Sequence, residues 1–274
     1  AQQNGILALN FLENDLRNAG MGFNEVNSAG CTVLAYDKDR GTTNFSFPLV
    51  PVRIIPGAAA NAPDQLAVLY GSQNIVASPT TITANQGDPD DPIRVMNRYG
   101  FRVGDLIVLQ QPGVVKDCSL MEITDLPAGQ SDQIDHNSNV SYSLVWVASG
   151  AVNVNARFNP NGGLGVTYTG ANSANSTRVF NLGNLYDNDG QYSINGPTMP
   201  VHNTYAISAN SLSVAPIFST AAGVPVADNI VHQRALYGVD DGVDNDTVDN
   251  PTGAGHGILD PWVDAATLPP PRRP

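Results

Sequence analysis

One stretch of this chain repeats its apolar residues at helical spacing; beyond it the repeat shortens to that of strands. In "ILALNFLENDLRNAG", Ile6, Leu9, Leu12, Leu16 and Ala19 recur at steps of three and four residues, which aligns them along one side of an α-helix. Glu13, Asn14, Arg17 and Asn18 fall on the other side. Gly20 and Gly22 then end the helix, since glycine readily adopts the left-handed backbone found at helix exits. At ~1.5 Å per residue such a helix is roughly 30 Å long. The stripe predicts that Ile6, Leu9, Leu12 and Leu16 pack on a sheet.

After Gly22 the pattern becomes that of short strands. "CTVLAY", "DQLAVLY", "FRVGDLIVLQQ", "SLMEIT" and "SYSLVWVAS" are β-prone runs rich in branched and aromatic residues. "RFNPNGGLGVTYTG" reads as a hairpin around Asn161-Gly162, and "NLYDNDGQYSI" as another around Asp189-Gly190. "NTYAISANSLSVAPIF" reads as two strands joined by a polar turn. "VADNIVHQRALYGVD" predicts a helical turn running into a strand. Residues 56–64 and 85–92 have loop compositions, and the end, "LPPPRRP", cannot join a sheet ladder. A helix first and many strands after it predict an α+β fold. Its parts would be a helix over 1–22, an antiparallel β-rich head with long loops over 23–274, and a proline-rich tail over 268–274.

Composition narrows the function. The 274 residues are 42% hydrophobic, enough for a core, but only 14% charged, below the usual quarter. The net charge is -12 with only 13 Lys and Arg, the opposite of the basic footprint that nucleic acid requires. Few lysines and many Asn and Thr point to an extracytoplasmic protein, where the two cysteines, Cys31 and Cys118, would pair. No run of 18 apolar residues is present to span a membrane as a helix. No secretory signal pattern is present either, and the abrupt start at "AQQNGILALNFLENDL" reads as a cut inside a helix. No nucleophile elbow, phosphate-binding loop, dinucleotide fingerprint or zinc-protease motif occurs. His136, His202, His232 and His256 follow no metal-ligand spacing and read as surface or turn residues. Nothing singles out a nucleophile, so a non-enzymatic protein is expected.

One constellation could hold a cation. "YGVDDGVDNDTVDN" places Asp240, Asp241, Asp244, Asp246 and Asp249 close together, and Ca²⁺ takes six to eight such oxygens. The spacing is not that of an EF-hand: counting from Asp244, Val248 falls where a ligand belongs and Asp249 where glycine belongs. A solvated loop serves equally, since carboxylates ~6 Å apart in water repel by only about 0.7 kcal/mol. The candidate Ca²⁺ ligands are Asp240, Asp244, Asp246 and Asp249. Asp187, Asp189 and Gly190 form a weaker group that a hairpin turn explains without a metal.

Several segments taken in order resemble a known family. "LNFLENDLRNAGMG" resembles the helix exit of PilW-type minor pilins of bacterial type IV pili. "APDQLAVLYGS" is similar to the family's early strand, and "GFRVGDLIVLQQPG" with "CSLMEIT" to its central strand pair. "VADNIVHQRALYGVDDGVDNDTVDN" followed by "GHGILDPWVDA" resembles its C-terminal signature, whereas residues 125–200 match nothing familiar. The resemblance implies a subunit without catalysis, which primes pilus assembly and sits at or near the fibre tip, supporting adhesion, motility or DNA uptake. It implies other minor and major pilins and the assembly machinery as partners, through contacts that include Ile6, Leu9, Leu12 and Leu16. It also implies residence in the inner membrane and periplasm before assembly and in the extracellular pilus afterwards, with membrane attachment only through a more apolar helix half that this sequence lacks. The family continues past its "W-DA" segment into a further strand, whereas this chain stops at "LPPPRRP". Two other readings fit the same residues: a Ca²⁺-dependent adhesin or glycan-binding domain, and a minor pseudopilin of type II secretion.

Overall fold

The computed structural model describes residues 2–23, 30–40, 43–59, 61–71, 79–148, 150–170, 175–192, 199–220, 222–237 and 263–264. The helix α1 (Gln2–Asn18) comes first. The strands are β1 (Thr32–Tyr36), β2 (Asn44–Pro48), β3 (Val52–Ile55), β4 (Gln65–Tyr70), β5 (Thr80–Thr81), β6 (Ile93–Arg94), β7 (Asp105–Gln110), β8 (Cys118–Glu122) and β9 (Gln133–Ile134). They continue with β10 (Ser141–Leu144), β11 (Val152–Asn155), β12 (Arg178–Asn184), β13 (Val201–Ser208), β14 (Ser211–Pro216), β15 (Val224–Asp228), β16 (Leu236–Tyr237) and β17 (Val263–Asp264).

Two sheets carry the architecture. One has six strands in the order β2-β1-β8-β7-β12-β5, the other five in the order β15-β14-β13-β4-β3. Every pairing in them is antiparallel except β1 with β8. Strand alternation sorts the side chains into layers. Leu106, Val108, Leu120, Phe180 and Leu182 of the six-stranded sheet meet Leu69 of β4 in the largest core. Their neighbours Ile107, Leu109, Met121 and Val179 point the other way, into a second core closed by Ile82, Ile93, Ile134 and Tyr168. A sheet buried on both faces explains why "DLIVLQ" is apolar without alternation. The five-stranded sheet puts Leu66, Val68, Tyr70, Val201 and Tyr205 on its far side, in a third core that includes Ala8 of α1.

The α+β expectation is corrected by this architecture. Among the described residues a single 17-residue helix stands against seventeen strands in five sheets, so the fold is mostly β, with the helix an accessory to one sheet. Strands β2, β3, β12 and β15 are hard to read in the sequence because polar residues or prolines interrupt them: Pro48 and Pro225 lie on β2 and β15, each at one edge of its sheet, where no ladder donor is needed. The hairpin expected around Asn161-Gly162 does not form, and residues 156–170 contain no strand. The Arg157 and Phe158 N–H groups donate instead to the buried carboxylate of Glu122, at 2.7 and 2.8 Å, which leaves no ladder to extend. The helical turn expected after Val226 is absent as well; the chain leaves β15 irregularly and reaches β16. The turn at Asp187–Gln191 forms as read, with Asp187 accepting from the Asp189 and Gln191 N–H groups.

Cys31 and Cys118 form the expected disulfide, across an 87-residue separation. It fastens the entry of β1 to the start of β8, the parallel neighbours whose register pairs Val33 with Cys118. Closing a loop of that size contributes about 4–5 kcal/mol in the chain-entropy view.

His136 and His202, read from sequence as surface or turn residues, are buried. His202 of β13 faces the main core, 4.8 Å from the Phe47 ring and 6.2 Å from that of Phe218, and its Nδ1 has no hydrogen-bond partner among the described residues. Burial, aided by the cations Arg53 and Arg40, pushes its pKa down to about 4. The unfolded chain therefore binds this proton more readily than the folded one, and the stability it contributes is complete above an unfolded pKa of ~6.5 and lost as pH falls toward about 4. Denaturant unfolding at neutral pH and at about pH 4 should show the wild type losing about 3 kcal/mol more than a His202→Phe variant. Equal losses in both proteins would refute the assignment.

Candidate functional site

The helix seats itself through a face of small and apolar residues around one carboxylate. Ala8 and Asp15 are buried, Leu12 and Ala19 pack against the core beneath, and the contacts are with β4, β13 and β15. Asp15 is the anchor. Its Oδ1 accepts from the Tyr70 hydroxyl at 2.8 Å, and its Oδ2 accepts from the Tyr205 hydroxyl at 2.7 Å and the Asn203 amide at 2.8 Å. Burial and the adjoining Asp15 raise the pKa of both tyrosines, so they remain protonated donors at any ordinary pH. At the first turn Asn4 donates to the Asp228 carbonyl of β15.

The exit of the helix is equally fixed. Gly20 and Gly22 have positive φ, 82° and 91°, and the Gly20 N–H donates to the Leu69 carbonyl while Gly71 N–H donates to that of Met21. A Cβ on Gly71 would lie 2.9 Å from the Leu182 carbonyl oxygen, so the helix exit, β4 and β12 meet at a point that admits no side chain. This is the physical content of the "AGMG" wording.

The seating corrects the face expected to pack. Of Ile6, Leu9, Leu12 and Leu16, only Leu12 reaches the core; Ile6 is 61% exposed, Leu9 65%, and Leu16 is exposed as well. Leu7 and Phe11, on the opposite flank, are also exposed. The reason lies in the pattern itself: Ala8, Leu12, Asp15 and Ala19 also recur at steps of four and three, and the satisfied carboxylate outweighs the alternative stripe. Sequence reasoning missed Asp15, Tyr70, Asn203 and Tyr205. The signal available was one acidic residue in line with two alanines, opposite strands whose inward positions include tyrosines.

The acidic residues expected as Ca²⁺ ligands, Asp240, Asp244, Asp246 and Asp249, lie outside the described residues, as do His256 and the tail 268–274. Among the described residues no group of three or more His, Cys, Asp or Glu is placed to hold a metal. What is described is the approach to the acidic stretch. Buried Asp64 accepts from the Gly57 and Ala235 N–H groups, and the Tyr237 hydroxyl accepts from the Ile54 N–H at 2.7 Å. Residues 233–237 thus run along the β3 edge of the five-stranded sheet and cover it.

The other buried carboxylates are consumed by structure. Glu122 accepts from Tyr142, Arg157 and Phe158, and Asp105 from the Arg102 N–H and the amides of Asn181 and Asn184. Asp37 holds the Arg157 guanidinium with two contacts of 2.6 and 2.7 Å. The group with unspent binding capacity is the helix, with apolar flanks on both sides of a fixed seat.

No family model matches the chain, and neither a curated protein nor a solved structure matches it.

Removing the anchor tests the seat. Asp15→Ala leaves three buried donors without an acceptor and should cost about 3–5 kcal/mol in denaturant unfolding. Amide exchange should quicken throughout α1 while the six-stranded sheet stays protected. Unchanged protection in α1 would show that the helix is held otherwise.

Proposed function

We propose that this protein is a non-enzymatic assembly subunit, a PilW-like minor pilin that primes a type IV pilus and sits at or near its tip. One observation carries the reading: a helix pinned through Asp15 turns Ile6, Leu9 and Leu16 outward on one flank and Leu7 and Phe11 on the other. Burying a side chain of this size is worth about 1.5–3 kcal/mol, and several large apolar side chains left exposed on one element suit a site of association. Two flanks on one element suit a subunit with a neighbour on either side, as in a fibre built by head-to-tail contacts. Other minor and major pilins and the assembly machinery are the partners on this reading. The ordered motifs from the helix exit to the Asp-rich C-terminal stretch support the same family. The disulfide supports passage through an oxidising compartment, as expected for a periplasmic and then extracellular protein.

The test is made in the source cells. A Leu9→Glu, Leu16→Glu double variant should fold with an unchanged melting temperature, because both side chains are exposed. Its recovery with sheared surface fibres should fall by about tenfold or more relative to wild type. Deleting the gene should reduce fibre number. Absence of the wild-type chain from the fibre fraction, with fibre number unaffected by deletion, would overturn the proposal.

A further inference from the structure

A cleft of about 710 Å³ opens between the turn preceding β7, the segment following β8 and the end of β10. Its size lies within the ~300–1,000 Å³ typical of ligand clefts. Trp146 supplies aromatic surface, Phe101 lines the cleft but is largely buried, and Arg102, Asp125, Asn137 and Ser143 supply polar groups.

The walls are set by the fold. Trp146 Nε1 donates to the Val103 carbonyl at 3.1 Å, and the Arg102 guanidinium stands 5.7 Å from the centre of the Trp146 ring. The Asn137 N–H donates to Thr124 Oγ1 at 2.8 Å, and Asp125 forms a β-bridge with Asp135. Tyr142 lines the cleft while its hydroxyl is committed to Glu122. By contrast, the Asn137 amide, the Ser143 hydroxyl and the Arg102 guanidinium make no hydrogen bond within the described residues.

We propose that this cleft binds a neutral saccharide. A sugar ring presents C–H faces and hydroxyl edges, and its complement is an aromatic surface rimmed by side chains that donate and accept. Here an indole meets an amide, a hydroxyl, a carboxylate and a guanidinium. Arg102 and Asp125 cancel within the cleft, and the chain as a whole carries -12, which disfavours a polyanionic glycan. No metal is required. The cleft is lined by the turn before β7, the segment after β8, Asn137, and β10 with its flanking residues, and no residue of α1 lines it, so the proposal stands apart from the assembly reading and can fail without it.

The disulfide-intact protein, probed with arrayed oligosaccharides that include neutral and acidic members, should retain neutral ones. Titration of a retained oligosaccharide should change the Trp146 fluorescence saturably, read against a Trp146→Phe control because Trp262 also emits. Asn137→Ala and Arg102→Ala, both at exposed positions, should each weaken binding by about tenfold without changing the melting temperature. Retention of no neutral oligosaccharide would overturn the proposal. So would retention of acidic ones alone, or undiminished affinity in both variants.

Discussion

A carboxylate out of water costs several kcal/mol unless its oxygens are met by donors. Asp15 is met by three, from two tyrosines and an asparagine of the five-stranded sheet. That condition is geometric: it is fulfilled at one rotation of the helix and one height on the sheet. A purely apolar stripe could slide or roll with little penalty; a three-donor anchor cannot. The rotation chosen brings Ala8, Leu12 and Ala19 to the sheet and leaves Ile6, Leu7, Leu9, Phe11 and Leu16 exposed, and the outward apolar surface of the helix follows from that choice.

The same device recurs through the fold. Glu122 gathers the N–H groups of Arg157 and Phe158 and the Tyr142 hydroxyl; Asp105 gathers two asparagine amides and a turn; Asp64 gathers the N–H groups of two segments far apart in sequence. In each case a strand or its flank offers a carboxylate to backbone that has no strand partner. This is how a chain with few charges and long irregular connections satisfies its buried donors. Burial raises the pKa of Glu122 and pushes that of Asp105 up to about 6, a mark of how thoroughly water is excluded around these hubs.

The sequence made some of this visible and hid the rest for physical reasons. The helix bounds, the strands at "TVLAY", "QLAVLY" and "DLIVLQ" and the pairing of Cys31 with Cys118 follow from local pattern and compartment chemistry. Pattern could not decide which of two interleaved stripes on α1 turns inward, because the deciding interaction joins Asp15 to residues 55, 188 and 190 positions away. The failed hairpin at Asn161-Gly162 is of the same kind: the turn forms, with Gly163 N–H donating to the Pro160 carbonyl, but the strand it would join is bound to the distant Glu122. The cleft at Trp146 joins segments from residue 101 to residue 146, drawn from three loops and β10, and no short motif encodes it.

The central claim is that α1 lies with Ala8, Leu12, Asp15 and Ala19 inward and its remaining apolar flanks outward, and thiol labelling of single cysteine substitutions along the helix tests it most directly. With the native disulfide intact, Ile6→Cys, Leu9→Cys and Phe11→Cys should react with a maleimide at close to the rate of the unfolded chain. Ala8→Cys and Ala19→Cys should react slower by about a hundredfold or more, the rate set by opening of the docked helix. Fast labelling at Ala8 with protection at Leu9 would mean that the helix packs by its leucine stripe and that the outward-facing surface does not exist.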